Sequence, residues 1–480
     1  MEWLDLLAAA FRWAMIGIVG YMIAIAAVYF VMMVLGFFAL QRYHGRLLRS
    51  ERDALFKSPL VPKTSIVVPA YNESKVILQS VKSLLTLHYP NHEVVVVNDG
   101  SRDDTLDRLV EEFRLFRSNR MPTGELPSEP IRGIYESREP IPLVVVDKEN
   151  GGKADALNAG VNVARGEIVT AIDADSLLEP DSLLHVMKPF LGDEDRTIAS
   201  GGIVRIANGC RVEHGRVVEV EAPDSLIGSF QAVEYLRAFL GGRIAYSFLN
   251  SLLLISGAFS VFRRDALVEA GGFSRETVGE DMEMVVRLHR LWRGRRNGNE
   301  RVGGPPSYRI VFVPEPVSWT EAPRTLRALG RQRGRWHRGQ AESLWRHRWM
   351  FLNPRYGVVG MFGFPYFLLF ETLGPTVELA GYLLTGVGLL TGFVAPTLAV
   401  LFLLVSVGFG LLLSLSSLAL EELTVRRYPR ARDVARLFWA AVVENFGLRQ
   451  ILAGVRTKAL FDAIRGREGW AETERVGFRT

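Results

Sequence analysis

With 480 residues the chain has room for one large domain or two modest ones besides membrane segments. Its single cysteine, Cys210, excludes an internal disulfide framework and a cysteine-based zinc cage. Lysine and arginine number 57 against 52 acidic residues, a formal net charge of +5. The arginines gather beside apolar spans, and no basic stripe with interleaved aromatics lies elsewhere. That excludes nucleic acid as a partner and points to anionic lipid headgroups.

In chain order, residues 1–12 read as an N-terminal tail. Trp13–Leu40 then carries no charge over 28 residues. As a helix that is about 42 Å, against a hydrocarbon core of about 30 Å, so it is predicted to be a transmembrane helix. It is longer than the apolar region of a signal peptide, about 7–15 residues. Arg42, Arg46, Arg49 and Arg52 mark a basic juxtamembrane linker over 41–63, which places the following domain on the cytoplasmic side.

Thr64–Ala70, Glu93–Asn98, Leu143–Asp147 and Glu167–Ile172 are short β-branched runs, with helical patterns between the first two and the last two. Buried parallel strands read as such continuous apolar runs, so residues 64–350 are predicted to form an α/β domain on a nucleotide-binding sheet. Ser118–Pro142 reads as a surface excursion. Gln231–Leu254, apolar but interrupted by Glu234, Arg237 and Arg243, reads as surface helices meeting the bilayer or an acceptor path. Arg309–Val313 is a further strand and Pro323–Trp349 a helix approaching the membrane, with Trp345 and Trp349 at headgroup level.

Residues 351–371 suit an interfacial or broken helix, because Pro365 and Glu371 interrupt them. Residues 372–395 and 397–420 are predicted transmembrane helices. Residues 421–480 read as a basic cytoplasmic tail with an amphipathic interfacial helix at Leu437–Leu452. Arg426, Arg427, Arg430, Arg432 and Arg436 want that tail inside, which two spans after Trp349 satisfy and three do not.

In open α/β sheets ligands collect at the carboxyl ends of strands. Pro69-Ala70-Tyr71-Asn72-Glu73 and Asn98-Asp99-Gly100-Ser101 stand at such ends, and Ser101 with Asp104 also suits a helix N-cap pair. Gly151-Gly152-Lys153 is a flexible turn able to present Lys153 to a pyrophosphate, though Ala154 stands where a Walker loop has Ser or Thr. Asp173-Ala174-Asp175 closes a buried strand, where two carboxylates repel unless a cation joins them. Hard oxygen ligands predict Mg²⁺ or Mn²⁺. Gly279-Glu280-Asp281 precedes a helical pattern, where acidic residues are also ordinary capping groups. Gln332 and Arg335, three apart, share a helical face with Trp336 beside them. Arg335 suits diphosphate oxygens and the indole suits the apolar face of a pyranose. The surrounding Arg331, Arg333, Arg338, Arg346 and Arg348 suit a basic interfacial helix as well.

These motifs in this order, flanked by apolar spans, resemble the membrane-integrated processive family-2 glycosyltransferases, the group containing cellulose, hyaluronan and poly-N-acetylglucosamine synthases. The resemblance covers roughly 64–350 and implies a GT-A-like nucleotide-diphosphosugar transferase domain with a mixed sheet. It implies an inverting enzyme that transfers sugars from a UDP-sugar to a growing polysaccharide acceptor and helps export the product, with accessory membrane or periplasmic subunits. It assigns Pro69, Tyr71 and Glu73 to the nucleoside pocket, Asp99 to the uracil ring and Lys153 to the pyrophosphate. Asp173 falls to the donor, Asp175 to the metal, Gln332 and Arg335 to the diphosphate. Asp281 is the implied general base, with Glu280 beside it. Gly257, Ala258, Phe259 and Trp336 are implied on the acceptor side. Gly279 fits a family position that shows Thr or Gly.

The length, single N-terminal span and Arg465, Arg467, Trp470 and Phe478 resemble the poly-N-acetylglucosamine type more than cellulose synthase, with little room left for a C-terminal cyclic-di-GMP barrel. UDP-N-acetylglucosamine is the favoured donor and UDP-glucose the second. One-sugar transfer to a polyprenyl phosphate and a non-catalytic envelope scaffold are the competing readings. The Gln-x-x-Arg-Trp motif weighs against the first, and intact Asp175, Asp281 and Trp336 against the second.

Overall fold

A computed structural model describes residues 2–47, 61–192, 196–213, 215–294, 308–424 and 426–466. The strands are β1 (Thr64–Ala70), β2 (His92–Asp99), β3 (Leu115–Arg117), β4 (Ile131–Ser137), β5 (Leu143–Lys148) and β6 (Ile168–Ala171). They continue with β7 (Ser176–Leu178), β8 (Thr197–Ile206), β9 (Arg211–Glu213), β10 (Arg216–Glu219), β11 (Ser260–Arg263) and β12 (Arg309–Thr320). Ten of them form one mixed sheet in the order β3-β4-β5-β2-β1-β6-β11-β8-β12-β7, and β9 with β10 makes a separate hairpin.

The parallel core is β5-β2-β1-β6, the four apolar runs of the sequence. Val94, Val95, Val96 and Val97 are fully buried because helices cover both faces of β2. Beyond β6 the sheet changes direction: β11 runs antiparallel to both β6 and β8, while β12 is parallel to β8. This mixed arrangement brings the carboxyl ends of β1, β2 and β6 to one edge, together with the segment that precedes β11.

Several expectations are corrected. The 118–142 excursion contains β4, which pairs antiparallel with β5 and buries Ile134 against it. Its loop is stapled to the helix Lys153–Val163, whose Asn162 side chain accepts from Leu126 N at 2.9 Å. Gln231–Leu254 is not a surface layer. Phe230, Val233, Leu236, Phe239, Leu240 and Ile244 are all buried in the helical run Leu226–Phe248, whose middle, Arg237–Arg243, is a π-helix.

Residues 1–12 do not form a separate tail. One helix runs Glu2–Leu47, 46 residues and about 69 Å at 1.5 Å per residue. The interfacial helix at 437–452 is two helices, Ala431–Val443 and Leu448–Ile464. Gly447 breaks them at φ 104°, a conformation that favours glycine. Most of the 41–63 linker (48–60), and Arg467, Trp470 and Phe478, lie outside the described residues.

Three helical stretches are long and apolar enough to cross a membrane: Trp3–Tyr43, Val359–Thr391 and Pro396–Leu423. The second bends at Leu373, between Val359–Thr372 and Gly374–Thr391. The chain is a membrane protein. Two acidic side chains within the second of these stretches are matched locally, as burial requires. Glu378 pairs with Arg449 at 3.0 Å, and Glu371 accepts from Tyr29 Oη at 2.5 Å and Tyr366 Oη at 2.8 Å.

Candidate active site

The two loops at the ends of β1 and β2 are tied together. Asn72, at φ 56°, donates its N–H to Ser101 Oγ at 3.1 Å and accepts from Arg102 N at 2.8 Å through its side chain. Glu73 N donates to Thr105 Oγ1 at 3.0 Å. Ser101 therefore serves the β1 loop and is not an N-cap. Asp103 supplies the local turn, accepting from Thr105 N at 3.1 Å. Pro69, Tyr71 and Glu73 are half-buried along this edge.

Asp99 is tied into the turn after β5. It is buried, and its Oδ1 accepts from Lys148 Nζ at 2.6 Å and Gly151 N at 3.0 Å. Its Oδ2 accepts from Gly152 N at 2.8 Å, where Gly152 sits at φ 87°. The carboxylate thus builds the glycine turn. Lys148, fully buried, also reaches Asp155 Oδ1 at 2.6 Å. Asp155 in turn holds Arg275 at 3.0 Å, four residues before Gly279. Sequence reading passed over Lys148, Asp155 and Arg275 as functional residues. A lysine ending a buried strand between two aspartate motifs was the available signal.

The turn delivers Lys153 into a carboxylate cluster. Its Nζ lies 2.6 Å from Asp173 Oδ1 and 3.1 Å from Glu280 Oε1, and these charges hold the ammonium strongly protonated against the opposing effect of burial. Asp281 opens the helix Glu280–Gly294; its Oδ2 accepts from Gly257 N at 3.0 Å and its Oδ1 from Met282 N at 2.7 Å. Burial, with the neighbouring Glu280 charge, pushes Asp281 up to about 6, against the pull of Lys153 and the two amides. A carboxylate with that affinity can take a proton near neutral pH.

Asp175 is buried and Asp173 half-buried at the end of β6. Among the described residues no group of three or more His, Cys, Asp or Glu could hold a metal alone. Two hard carboxylates fit a divalent cation when ligand oxygens and water complete its shell.

The helix Leu326–Arg346 begins at Thr325, which caps Ala328 N at 3.2 Å. Arg333 is not part of an exposed basic face. It is buried, pairs with Glu234 at 2.6 Å, and lies 4.1 Å from the centre of the Trp336 ring. Trp336 is 43% exposed and its ring centre is 6.2 Å from that of Tyr235. Gln332 accepts from Arg333 at 2.6 Å, while Arg335 is exposed without an ion-pair partner among the described residues. The motif thus presents an aromatic platform and one solvent-facing guanidinium.

The acceptor-side assignment of 257–259 divides. Gly257 belongs to the site, with an added Cβ meeting Lys153 Nζ at 3.1 Å. Phe259 does not: it is fully buried and packs in the core around β1 and β2. Ala258 is buried too, its carbonyl accepting from Ser318 Oγ at 3.3 Å.

The profile of glycosyl transferase family group 2 matches residues 168–413, and that of glycosyl transferase family 2 matches 65–122. Poly-β-1,6-N-acetyl-D-glucosamine synthase of Staphylococcus epidermidis is 26% identical over 292 residues, 61% of this chain and 58% of that one. The synthase of the same name from Staphylococcus aureus strain COL is 28% identical over 283 residues, 59% of this chain and 55% of that one. The chain thus spans little more than half the length of these relatives. Among solved structures, the mannosyltransferase PcManGT of Pyrobaculum calidifontis, in complex with GDP-Man and Mn²⁺, is 18% identical with a TM-score of 0.50. That superposition covers 94% of this chain and all of the other, and it shows a shared fold. The family profiles span β1, β2, β6, Asp281 and Trp336 alike; the chain belongs to glycosyl transferase family group 2 and is a membrane glycosyltransferase with a GT-A-like domain.

Proposed function

We propose that this glycosyltransferase polymerises a β-linked polysaccharide from a UDP-sugar, UDP-N-acetylglucosamine before UDP-glucose, at the cytoplasmic face of a bacterial-type plasma membrane, with export of the product. The carrying observation is the convergence of Lys153, Asp173, Glu280, Asp281 and Gly257 within one hydrogen-bonded cluster. The synthase relatives support the polymer and its sugar. The arginines following the first and last apolar stretches support the orientation and a bilayer with anionic headgroups.

In this reading Asp281 removes the proton of the acceptor hydroxyl as it attacks the anomeric carbon, a single displacement with inversion. Lys153 and Arg335 meet the diphosphate, with Gln332 beside it. Tyr71, Glu73 and Pro69 border the nucleoside, and Asp99 shapes the turn that carries Lys153. Trp336, packed near Tyr235, floors the acceptor sugar. Asp175, with Asp173, would hold Mg²⁺ or Mn²⁺, which neutralises charge on the departing nucleoside diphosphate.

The test is turnover by detergent-purified protein with a panel of UDP-sugars and either cation, beside Asp281→Asn. UDP release with high-molecular-mass product is expected, reduced by about 10²–10⁴-fold in the variant. A lipid-linked monosaccharide as the only product, or full turnover by Asp281→Asn, would sink the reading.

A further inference from the structure

A cavity of about 340 Å³ lies between the long N-terminal helix, the run Leu226–Phe248 and the apolar helices that follow residue 359. Four arginines and four glutamates line it, so it is neutral overall and does not select an anion. Seven of the eight are matched within the protein. Arg237 meets Glu444 at 2.5 Å, Arg449 meets Glu378 at 3.0 Å, and Arg456 meets Glu234 at 3.0 Å. Glu371 accepts from two tyrosine hydroxyls.

Arg243 is the exception. Its guanidinium lies 4.0 Å from the centre of the Phe239 ring, and its Nη1 is enclosed without a hydrogen-bond partner among the described residues. A buried donor left without a partner is costly, more so when charged, so a partner from outside the chain is favoured there. Burial pulls this guanidinium down to about 10, partly offset by the charge of Asp281. Phe239 holds the group in place, its ring stacked 6.0 Å from Phe312 and tilted against Tyr235 at 5.9 Å. Tyr235 is the ring beside Trp336. Arg243 therefore lines the cavity at one end of a series of rings, Phe239, Tyr235 and Trp336, that leads to the acceptor platform.

Resting on the polymerase reading above, we propose that Arg243 is an acceptor-binding residue, whose enclosed Nη1 donates to a hydroxyl or acyl oxygen of the sugar that Asp281 deprotonates. The ligand is a neutral saccharide. The donor phosphates have Lys153 and Arg335, and the balanced lining gives a free anion no preference. A charged donor to a neutral oxygen, worth about 1.5–3 kcal/mol, fixes which face of the terminal sugar is turned to Asp281.

The experiment uses the full chain in detergent, with short β-linked N-acetylglucosamine oligomers as acceptor. UDP affinity is measured separately by calorimetry. Arg243→Gln is expected to raise the acceptor KM by roughly 10–100-fold while the UDP Kd keeps its wild-type value. Arg243→Lys, which retains a charged donor on a shorter stem, recovers part of the loss. An unchanged acceptor KM in Arg243→Gln overturns the assignment. So does a parallel rise in UDP Kd with a lowered thermal midpoint in both variants, which marks a structural role. Wild-type protein that binds no UDP overturns the polymerase reading itself, and the acceptor role with it.

Discussion

At the scale of single residues, the proposed base Asp281 is expected to set the pH dependence. Its carboxyl titrates near 6 because it is buried beside Glu280, and only the ionised form accepts a proton. Turnover is therefore expected to fall about tenfold per pH unit below roughly 6. Glu280→Gln removes a like charge, so Asp281 ionises more readily and the acid limb moves to lower pH. A kcat–pH profile of the two proteins measures this, and a limb that stays in place or moves upward contradicts it. Asp281 and Lys153 were legible in the sequence because each sits in a motif whose chemistry is local. Lys148, Arg333 and Arg243 were not. The significance of Lys148 and Arg333 comes from burial and from partners 49 and 99 positions away, and that of Arg243 from an enclosed Nη1 beside the Phe239 ring, none of which a local pattern records.

At the scale of elements, the active site depends on a close helix crossing. An ideal Cβ on Gly279 would lie 2.9 Å from the backbone of Gly339, and one on Gly339 would lie 2.7 Å from that of Gly279. The start of the helix bearing Asp281 thus rests directly on the helix bearing Trp336, and the two catalytic motifs are set by one contact. Gly279→Ala is expected to cost about 1–3 kcal/mol through overpacking and to lower kcat by displacing Asp281 from Trp336. Thermal unfolding and turnover should fall together, and a variant with wild-type values in both would show the crossing is slack. The helix Leu326–Arg346 could be foreseen from its periodicity. β8 could not, because its ten buried residues include Ser200, Gly201 and Gly202, which weaken the apolar signal. Gly201 is needed there: a Cβ would come within 2.3 Å of the Ile255 side chain, in the segment leading to Gly257.

At the scale of the whole molecule, the catalytic domain is fastened to the membrane region by ion pairs that sequence alone could not pair. Arg205 on β8 meets Glu421, near the end of the last apolar helix, at 2.8 Å, and both are essentially unexposed. Arg427 pairs with Glu179, and Arg430 with Glu219 and Glu221, so the arginines after that helix grip the domain. Charge clustering in the sequence could not give their partners, which the sheet order decides. A buried pair is expensive to break on one side, because the remaining charge loses both water and its counter-ion. Glu421→Gln is therefore expected to destabilise the protein by about 3–5 kcal/mol, whereas Arg205→Met with Glu421→Met removes both charges and should recover most of it. The comparison also separates stability from coupling. If the doubly substituted protein unfolds at the wild-type temperature yet makes shorter polymer, the pair holds the active site in register with the membrane helices. If it is wild-type in both, the pair contributes no alignment that packing does not already provide.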